Sequence, residues 1–535
     1  MASVIKDTLL ERHSAAVLPE LAEALTNGYT YALLSVEVNE CPILETPIFV
    51  HCKIDRSGSM SDLCKDGMTK MKHTIHTLTN IMRFFSENET ATIFVQVCVF
   101  DDKIDEIVPV TRVKKTNVDE IIESLNTIYA RNSTNIELAL KDSNTRIQEY
   151  SSQYPSHRVS HIFMTDGEAT IGSSNIDFLT TLIDKTISSS FIAFGVQHNA
   201  KMLNAFGRVS PKTSNWLVEK LENAGLVYGE IINNELYIGA DDVNITVYNG
   251  LIYDYTNDSF VETLDINTLV TESKKLYHVS TNDPNNCYVI IRGNSSITGE
   301  FFEETVPMLP VLNMNNNDNE IVTNDLTQHM FRLRAQQLMK IALTDEMQCC
   351  DPVDIFSRRQ VQRSGGLRRQ NAIGVFTQSQ TLDSSTEDEN VNHSIETVVE
   401  VYQEVLPTTT NPVTSFKNSL KEFKKSLDTY IKDNSLEEND FMQNIRDDIY
   451  ITILTMNTTN QYMYVSARQS SQGRQQSYNV VDIEVPGEQD DGDEDSRDPN
   501  NISPQRHMLP RSHTNSNNTT PTMMRTMTHI SQSQT

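Results

Sequence analysis

The sequence predicts an α/β protein: a doubly wound domain with a mostly parallel sheet, then an antiparallel β-sandwich, a small helical region and a disordered C-terminal tail. Three observations predict this. Between about residues 45 and 235, short apolar runs rich in β-branched residues alternate with amphipathic helical patterns, as in parallel sheets with crossover helices. Over residues 236–312 the pattern changes to short alternating runs separated by Asn-Gly, Asn-Asp and Gly turns, which marks antiparallel strands. From about Gln469 the chain is rich in Ser, Gln, Asn and Thr and cannot bury a core.

Taken in order, residues 1–44 read as an N-terminal helix and loose segment followed by an edge strand at 31–38. That strand could join the sandwich, because both flank the α/β domain in sequence. The run Ile48-Phe-Val-His-Cys-Lys-Ile54 is a buried strand, and a helix follows over 61–87. Its apolar positions Met68, Met71, Ile75, Leu78, Met82 and Phe85 step by three and four, which marks one buried face. His73 and His76 on this helix are expected to be solvated. Strands follow at 91–100 and 103–110, helices at 117–128 and 136–150, a strand at 159–164, a helix at 175–188 and a strand at 190–196. Helices at 198–206 and 219–234 complete the domain.

Beyond the sandwich, residues 313–468 read as a helical region. It opens with an Asn/Asp linker at 313–320 and holds helices at 328–345, 394–406 and 415–450, which are expected to form a small bundle. A long polar loop at 357–393 is first basic, then acidic. Residues 469–535 form the tail, with one acidic cluster at Glu488, Asp490, Asp491, Asp493, Glu494 and Asp495.

Composition narrows the function. The chain has 535 residues and a formal charge of -28, from 72 acidic against 44 basic side chains. A general nucleic-acid binder needs a basic footprint, and a surface held on anionic lipid needs one too, so neither is expected. Seven cysteines in odd number, with no Cys-x-x-Cys, argue against a disulfide framework and against structural zinc. The charged N-terminus lacks the apolar core of a signal peptide, and no run reaches the length of a membrane span. An intracellular, reducing and cytoplasmic setting is the expectation.

The chemistry concentrates where the strand at 48–54 ends. Asp55, Ser57 and Ser59 follow it directly, with Gly58 letting the backbone bend between the hydroxyls. In open parallel sheets, ligands bind just outside the carboxyl ends of strands. One carboxylate and two hydroxyls suit a hard cation, with Mg²⁺ the leading candidate. Two more segments place oxygen ligands alike: Thr134 stands before the helix at 136–150, and Asp166 follows the strand at 159–164.

Together these segments resemble the von Willebrand factor A domain. That family's metal-ion-dependent adhesion site uses Asp-x-Ser-x-Ser, a threonine before a helix and an aspartate in a Thr-Asp-Gly turn. This chain supplies Asp55-Arg-Ser57-Gly-Ser59, Thr134-Asn-Ile and Thr165-Asp166-Gly167 in the same order. It departs at Asn132-Ser133, where the family often has two glycines. The resemblance spans residues 45–235 and implies that Ser57, Ser59 and Thr134 ligate Mg²⁺, or another divalent cation such as Mn²⁺ or Ca²⁺. Asp55 and Asp166 would do so directly or through water. It also implies an open coordination position for an Asp or Glu carboxylate from a protein partner. In intracellular relatives a β module often follows the A domain, as here.

The expected function is therefore a metal-dependent protein-binding adaptor, not an enzyme. No phosphate-binding Gly-x-x-x-x-Gly-Lys-Ser/Thr loop and no zinc-ligand series of a ubiquitin ligase occurs. The alternatives are a structural or assembly protein, in which the A domain and sandwich form a rigid unit, and a non-catalytic subunit of a ubiquitin ligase or ATPase complex.

Overall fold

The architecture was analysed in a computed structural model, which describes residues 4–25, 28–41, 46–64, 67–88, 90–166, 169–195, 198–218, 221–309, 324–344, 347 and 412–475. Its organising element is a six-stranded sheet. The strands are β3 (Ile48–Asp55), β4 (Ile93–Phe100), β5 (Ile104–Arg112), β6 (Arg158–Thr165), β7 (Ser188–Phe194) and β8 (Thr213–Val218). Their order is β5-β4-β3-β6-β7-β8, parallel except for β5. All eight residues of β3 are buried, since helices cover both faces. Ile48, Val50, Cys52 and Ile54 enter the main core with α2 (Lys70–Glu87). Phe49 points the other way and stacks on Tyr150 of α4 (Ile136–Gln153) with ring centroids 3.8 Å apart.

The remaining helices of this domain are α3 (Val118–Leu125), α5 (Ile176–Thr181), α6 (Ala200–Phe206) and α7 (Leu221–Leu236). From β3 the chain moves to β4 on one side and later to β6 on the other. The carboxyl ends of β3 and β6 therefore flank the point where strand order reverses, the usual crevice of a doubly wound sheet.

The sandwich has a five-stranded sheet ordered β1-β2-β13-β10-β11 and a four-stranded sheet ordered β12-β9-β14-β15. Seven of these strands follow the α/β domain: β9 (Ile238–Tyr248), β10 (Leu251–Asp254), β11 (Ser259–Val261), β12 (Thr263–Val270), β13 (Lys274–Thr281), β14 (Tyr288–Ser295) and β15 (Phe301–Pro307). Two precede it, β1 (Ile5–Arg12) and β2 (Thr30–Val38). The α/β domain is thus inserted in the sandwich. The 31–38 strand joins the sheet as expected, but inside it, between β1 and β13, and not at its edge.

Four helices cover the outer face of the five-stranded sheet: α8 (Thr327–Ala342), α9 (Pro412–Asp433), α10 (Asp440–Thr455) and α11 (Gln461–Arg474). On β2, Ala32, Leu34 and Val36 face the sandwich core while Tyr31 and Leu33 face the helices, the period of two that a strand imposes. A short turn, α1 (Pro19–Ala22), packs Leu21 into the same helical core.

Several expectations need correction. The N-terminal helix is strand β1, where Ile5 and Leu10 are buried and Lys6 and Thr8 pair with Glu37 and Glu304. The helix expected at 61–87 starts only at Lys70, after a short 3-10 turn (Gly58–Ser61), and Met68 is exposed. His73 is buried and stacks on Phe194. Strand β8 was not anticipated. The helix expected at 415–450 is two helices, broken where Ser435 takes a left-handed φ of 53°. The tail expected from residue 469 begins inside α11, whose Gln469 is fully buried. The linker at 313–320, the loop at 357–393, the helix at 394–406 and the chain beyond Gln475 lie outside the described residues. Among the described residues no helix is long and apolar enough to cross a membrane, and Cys41, Cys52, Cys64, Cys98 and Cys287 are free thiols.

Candidate functional site

Strand β3 delivers Asp55 to the end of the sheet, and the chain turns at once. The Ser57 peptide N–H donates to Asp55 Oδ1 at 2.7 Å, which folds the carboxylate back over the turn. Its other oxygen accepts from the Thr165 hydroxyl at 2.6 Å. The 3-10 turn then brings Ser59 round, so that its Oγ lies 3.1 Å from Ser57 Oγ and donates to Asp166 Oδ1 at 2.8 Å. Asp55, Ser57, Ser59 and Asp166 therefore converge, although 107 residues separate Ser59 from Asp166. Asp55 and Asp166 are fully buried, and Ser57 nearly so.

Thr134 comes from the loop between α3 and α4. The Gly58 N–H donates to Asn132 O at 3.0 Å and the Arg131 N–H to Arg56 O at 2.7 Å, which laces that loop to the Asp55 turn. A Cβ at Gly58 would stand 3.3 Å from the Asn132 carbonyl, so the approach suits glycine. Asn132 itself has φ of 60°. The left-handed conformation is met at the position where the resembling family often has glycine, and asparagine tolerates it best among the larger residues. Thr134 is buried, and its N–H donates to Thr170 Oγ1 at 2.8 Å.

A second acid organises this end of the sheet. Asp101, at the end of β4, accepts from Arg56 Nε at 3.0 Å and Arg131 Nε at 2.7 Å, and Asp105 also receives both guanidinium groups. Burial works to raise the Asp101 carboxyl, but the hydrogen bonds from Arg131 and the Lys103 peptide, with the Arg56 charge, bring it down to about 2. Arg56 is thus turned away from the oxygen cluster by its own ion pairs.

Sequence reasoning missed Lys70. It is buried at the first position of α2, donates to Asp166 Oδ2 at 2.7 Å and lies 3.6 Å from Asp62. The expected start at residue 61 put Lys70 well inside the helix; only with the start at Lys70 does a cation in the first turn oppose the helix dipole and call for a nearby anion.

The donor set fits a hard divalent cation. It holds two carboxylates and three hydroxyls, with no sulfur or imidazole among the five predicted positions. Burial pushes the Asp55 carboxyl up to about 6, against hydrogen bonds from Thr165 and Ser57, and the Asp166 charge adds to the rise. A buried carboxylate under that load gains from a nearby cation. Among the described residues no group of three or more His, Cys, Asp or Glu side chains is placed to hold a metal ion by itself. The present set relies instead on hydroxyl oxygens.

No protein-family model matches the chain, and no curated protein matches it. Solved structures do. One is a von Willebrand factor type A protein from Catenulispora acidiphila, 12% identical, with a TM-score of 0.42, covering 64% of this chain and 82% of that one. Another is the ArnB paralog VWA2 from Sulfolobus acidocaldarius, 11% identical, with a TM-score of 0.45, covering 89% of this chain and 100% of that one. A third is proximal thread matrix protein 1 from the mussel byssus with a zinc-occupied MIDAS motif, 17% identical, with a TM-score of 0.29, covering 37% and 49%. The site's chemistry rests on this chain's own residues.

Proposed function

We propose that this chain is a metal-dependent protein-binding adaptor whose α/β domain captures a partner carboxylate through a divalent cation, Mg²⁺ first. The observation that carries the reading is the convergence of Ser57, Ser59 and Asp166 oxygens beside Asp55 at the strand-order reversal. Ser57, Ser59 and Thr134 would hold the ion directly, and Asp55 and Asp166 directly or through water. Two carboxylates just neutralise a doubly charged ion, so a third from an Asp or Glu of a partner completes the shell at modest electrostatic cost. This is binding chemistry, without turnover.

A second reading, a structural or assembly role, is favoured by Lys70. Its ammonium supplies Asp166 with a cation from within the chain, so the site holds together without an added ion. Thermal unfolding of the full chain in Mg²⁺ and in chelator tests the first reading, beside an Asp55→Ala/Asp166→Ala variant. At ten times its dissociation constant the ion adds about 1.4 kcal/mol, roughly 3–6 °C for a domain of this size. A shift that the variant abolishes supports the adaptor reading. Equal stability in millimolar Mg²⁺ and chelator overturns it and leaves the structural role.

A further inference from the structure

Both oxygens of Asp166 are occupied from within the chain. Ser59 Oγ donates to one at 2.8 Å and Lys70 Nζ to the other at 2.7 Å. The Lys70 side chain is only 10% exposed there, and Asp166 is closed to solvent. The ammonium has a second carboxylate at hand. Asp62 Oδ2 stands 3.6 Å from Nζ, on a side chain that is 55% exposed. Two backbone bonds hold that acid in reach. The Asp62 N–H donates to Ser59 O at 3.0 Å, and the Lys70 N–H donates to Asp62 O at 3.1 Å.

The far wall limits where the ammonium can go. A Cβ at Gly195, the residue after β7, would stand 3.4 Å from Lys70 Cε and 3.8 Å from Nζ, so the stem runs close to that backbone. His198 feels the Lys70 charge, but it offers no anion. Burial pushes its imidazole down to about 4, despite the contact with the Gly195 carbonyl at 2.9 Å. Among the described residues, Asp166 and Asp62 are the carboxylates paired with Lys70.

A divalent ion coordinated by Asp166 would bring two positive groups onto one carboxylate. In a site closed to water that repulsion is poorly screened. The ammonium is the partner that can yield, because it rides on a flexible four-carbon stem. Moving Nζ by roughly 1 Å turns the approach to Asp62 into a charge-assisted hydrogen bond. We propose that Lys70 is a resident counter-cation with two seats, and that a divalent ion entering the site sends it from Asp166 to Asp62. Asp62 is then a positioning residue: it lowers the cost of loading by receiving the charge that the ion displaces. The exchange also carries the ammonium from a buried carboxylate to an exposed one, so loading is signalled at the surface. It requires the cation site proposed above.

Amine labelling of the full chain reads the exchange directly. Reductive methylation of Lys70 is followed by mass spectrometry in Mg²⁺ and in chelator, with Lys53, buried against Asp142, as the internal reference. Mg²⁺ should speed Lys70 labelling at least threefold and leave Lys53 unchanged. Asp62→Asn should abolish the gain, while Asp62→Glu keeps most of it. A gain that survives Asp62→Asn overturns the proposal. Titration calorimetry supplies the matching energetics. Asp62→Asn should weaken Mg²⁺ binding about fivefold in the unaltered chain and leave it unchanged beside Lys70→Met, because Asp62 acts only through the ammonium. Equal weakening in both backgrounds would make Asp62 a ligand or a distant charge, and sinks the exchange. Where Lys70→Met fails to fold, labelling of the unaltered chain decides. A melting temperature raised by Mg²⁺ without faster Lys70 labelling leaves the cation site standing and overturns the exchange. No rise in melting temperature at millimolar Mg²⁺ removes both.

Discussion

The Lys70 ammonium lies 2.7 Å from Asp166 Oδ2 while Ser59 holds the other oxygen of the same carboxylate. A divalent ion seated on Asp166 must share it with a resident positive charge. Lys70→Met should therefore tighten Mg²⁺ binding about tenfold, equivalent to about 1.4 kcal/mol. It should also lower stability in chelator, since a buried carboxylate loses its partner. Titration calorimetry and thermal unfolding measure the two effects. A variant with unchanged affinity would show that ion and ammonium occupy separate ground.

Asn132 holds a left-handed backbone against the Gly58 turn. Asn132→Ala should cost about 1–2 kcal/mol and weaken the cation, because the loop that carries Thr134 is displaced. Asn132→Gly should keep both. Urea unfolding with and without Mg²⁺ separates strain from site damage, and equal stability of the Ala and Gly variants would contradict the strain.

His161 is buried beside Lys53 and stacks on His51 at 5.6 Å. Burial, with the Lys53 charge, pushes it from 6.5 down to about 3. Between those values the unfolded chain takes up a proton that the folded chain refuses. The stability His161 supplies is present above pH 6.5 and is lost as pH falls toward 3, by up to about 1.4 kcal/mol per pH unit. Asp55, raised to about 6, acts in the opposite sense, so the comparison must be with a variant. Denaturant unfolding of His161→Gln from pH 7 to 4.5 should fall less steeply than that of the unaltered chain.

Asp448 and Arg468 form an ion pair at 3.4 Å inside the helical region, both essentially unexposed, and Gln472 donates to the same acid at 2.6 Å. Asp448→Ala should destabilise by about 3–5 kcal/mol, since it removes the acid paired with a buried guanidinium. Asp448→Leu with Arg468→Met should recover most of that. Chemical denaturation reads both. A mild effect of the single change would mean that water reaches Arg468.

Much of this was legible in the residues. Strands β3, β4 and β6 announce themselves because a strand covered on both faces must be apolar nearly throughout. The site is legible because its oxygens sit at strand ends within short motifs. What was not legible is polar structure whose partners come from afar. Strand β8 begins Thr-Ser-Asn, and its buried Ser214 is satisfied by Ser190, Trp216 and the Ser189 carbonyl. Helix α11 reads as tail because it is Ser- and Gln-rich, yet Gln461 donates to the Ala342 carbonyl and Gln469 to that of Tyr255. Composition reports the cost of burying such groups, while their satisfaction depends on tertiary partners. Lys70 was missed for the same reason: Asp166 lies 96 residues away.

The insertion of one domain within another also sets a clock. Tyr31 pairs with Ser280, so β2 waits for a partner made 249 residues later. At about 5–20 residues per second of synthesis, that is roughly 12–50 s. During that interval the six-stranded sheet, second in the chain, has all its strands and closes first. The β1–β2 ribbon meanwhile offers an open edge, the kind of surface on which neighbouring nascent chains join one another. Slow translation through residues 238–281 should therefore lower the yield of folded protein more than an equal slowing within the inserted domain.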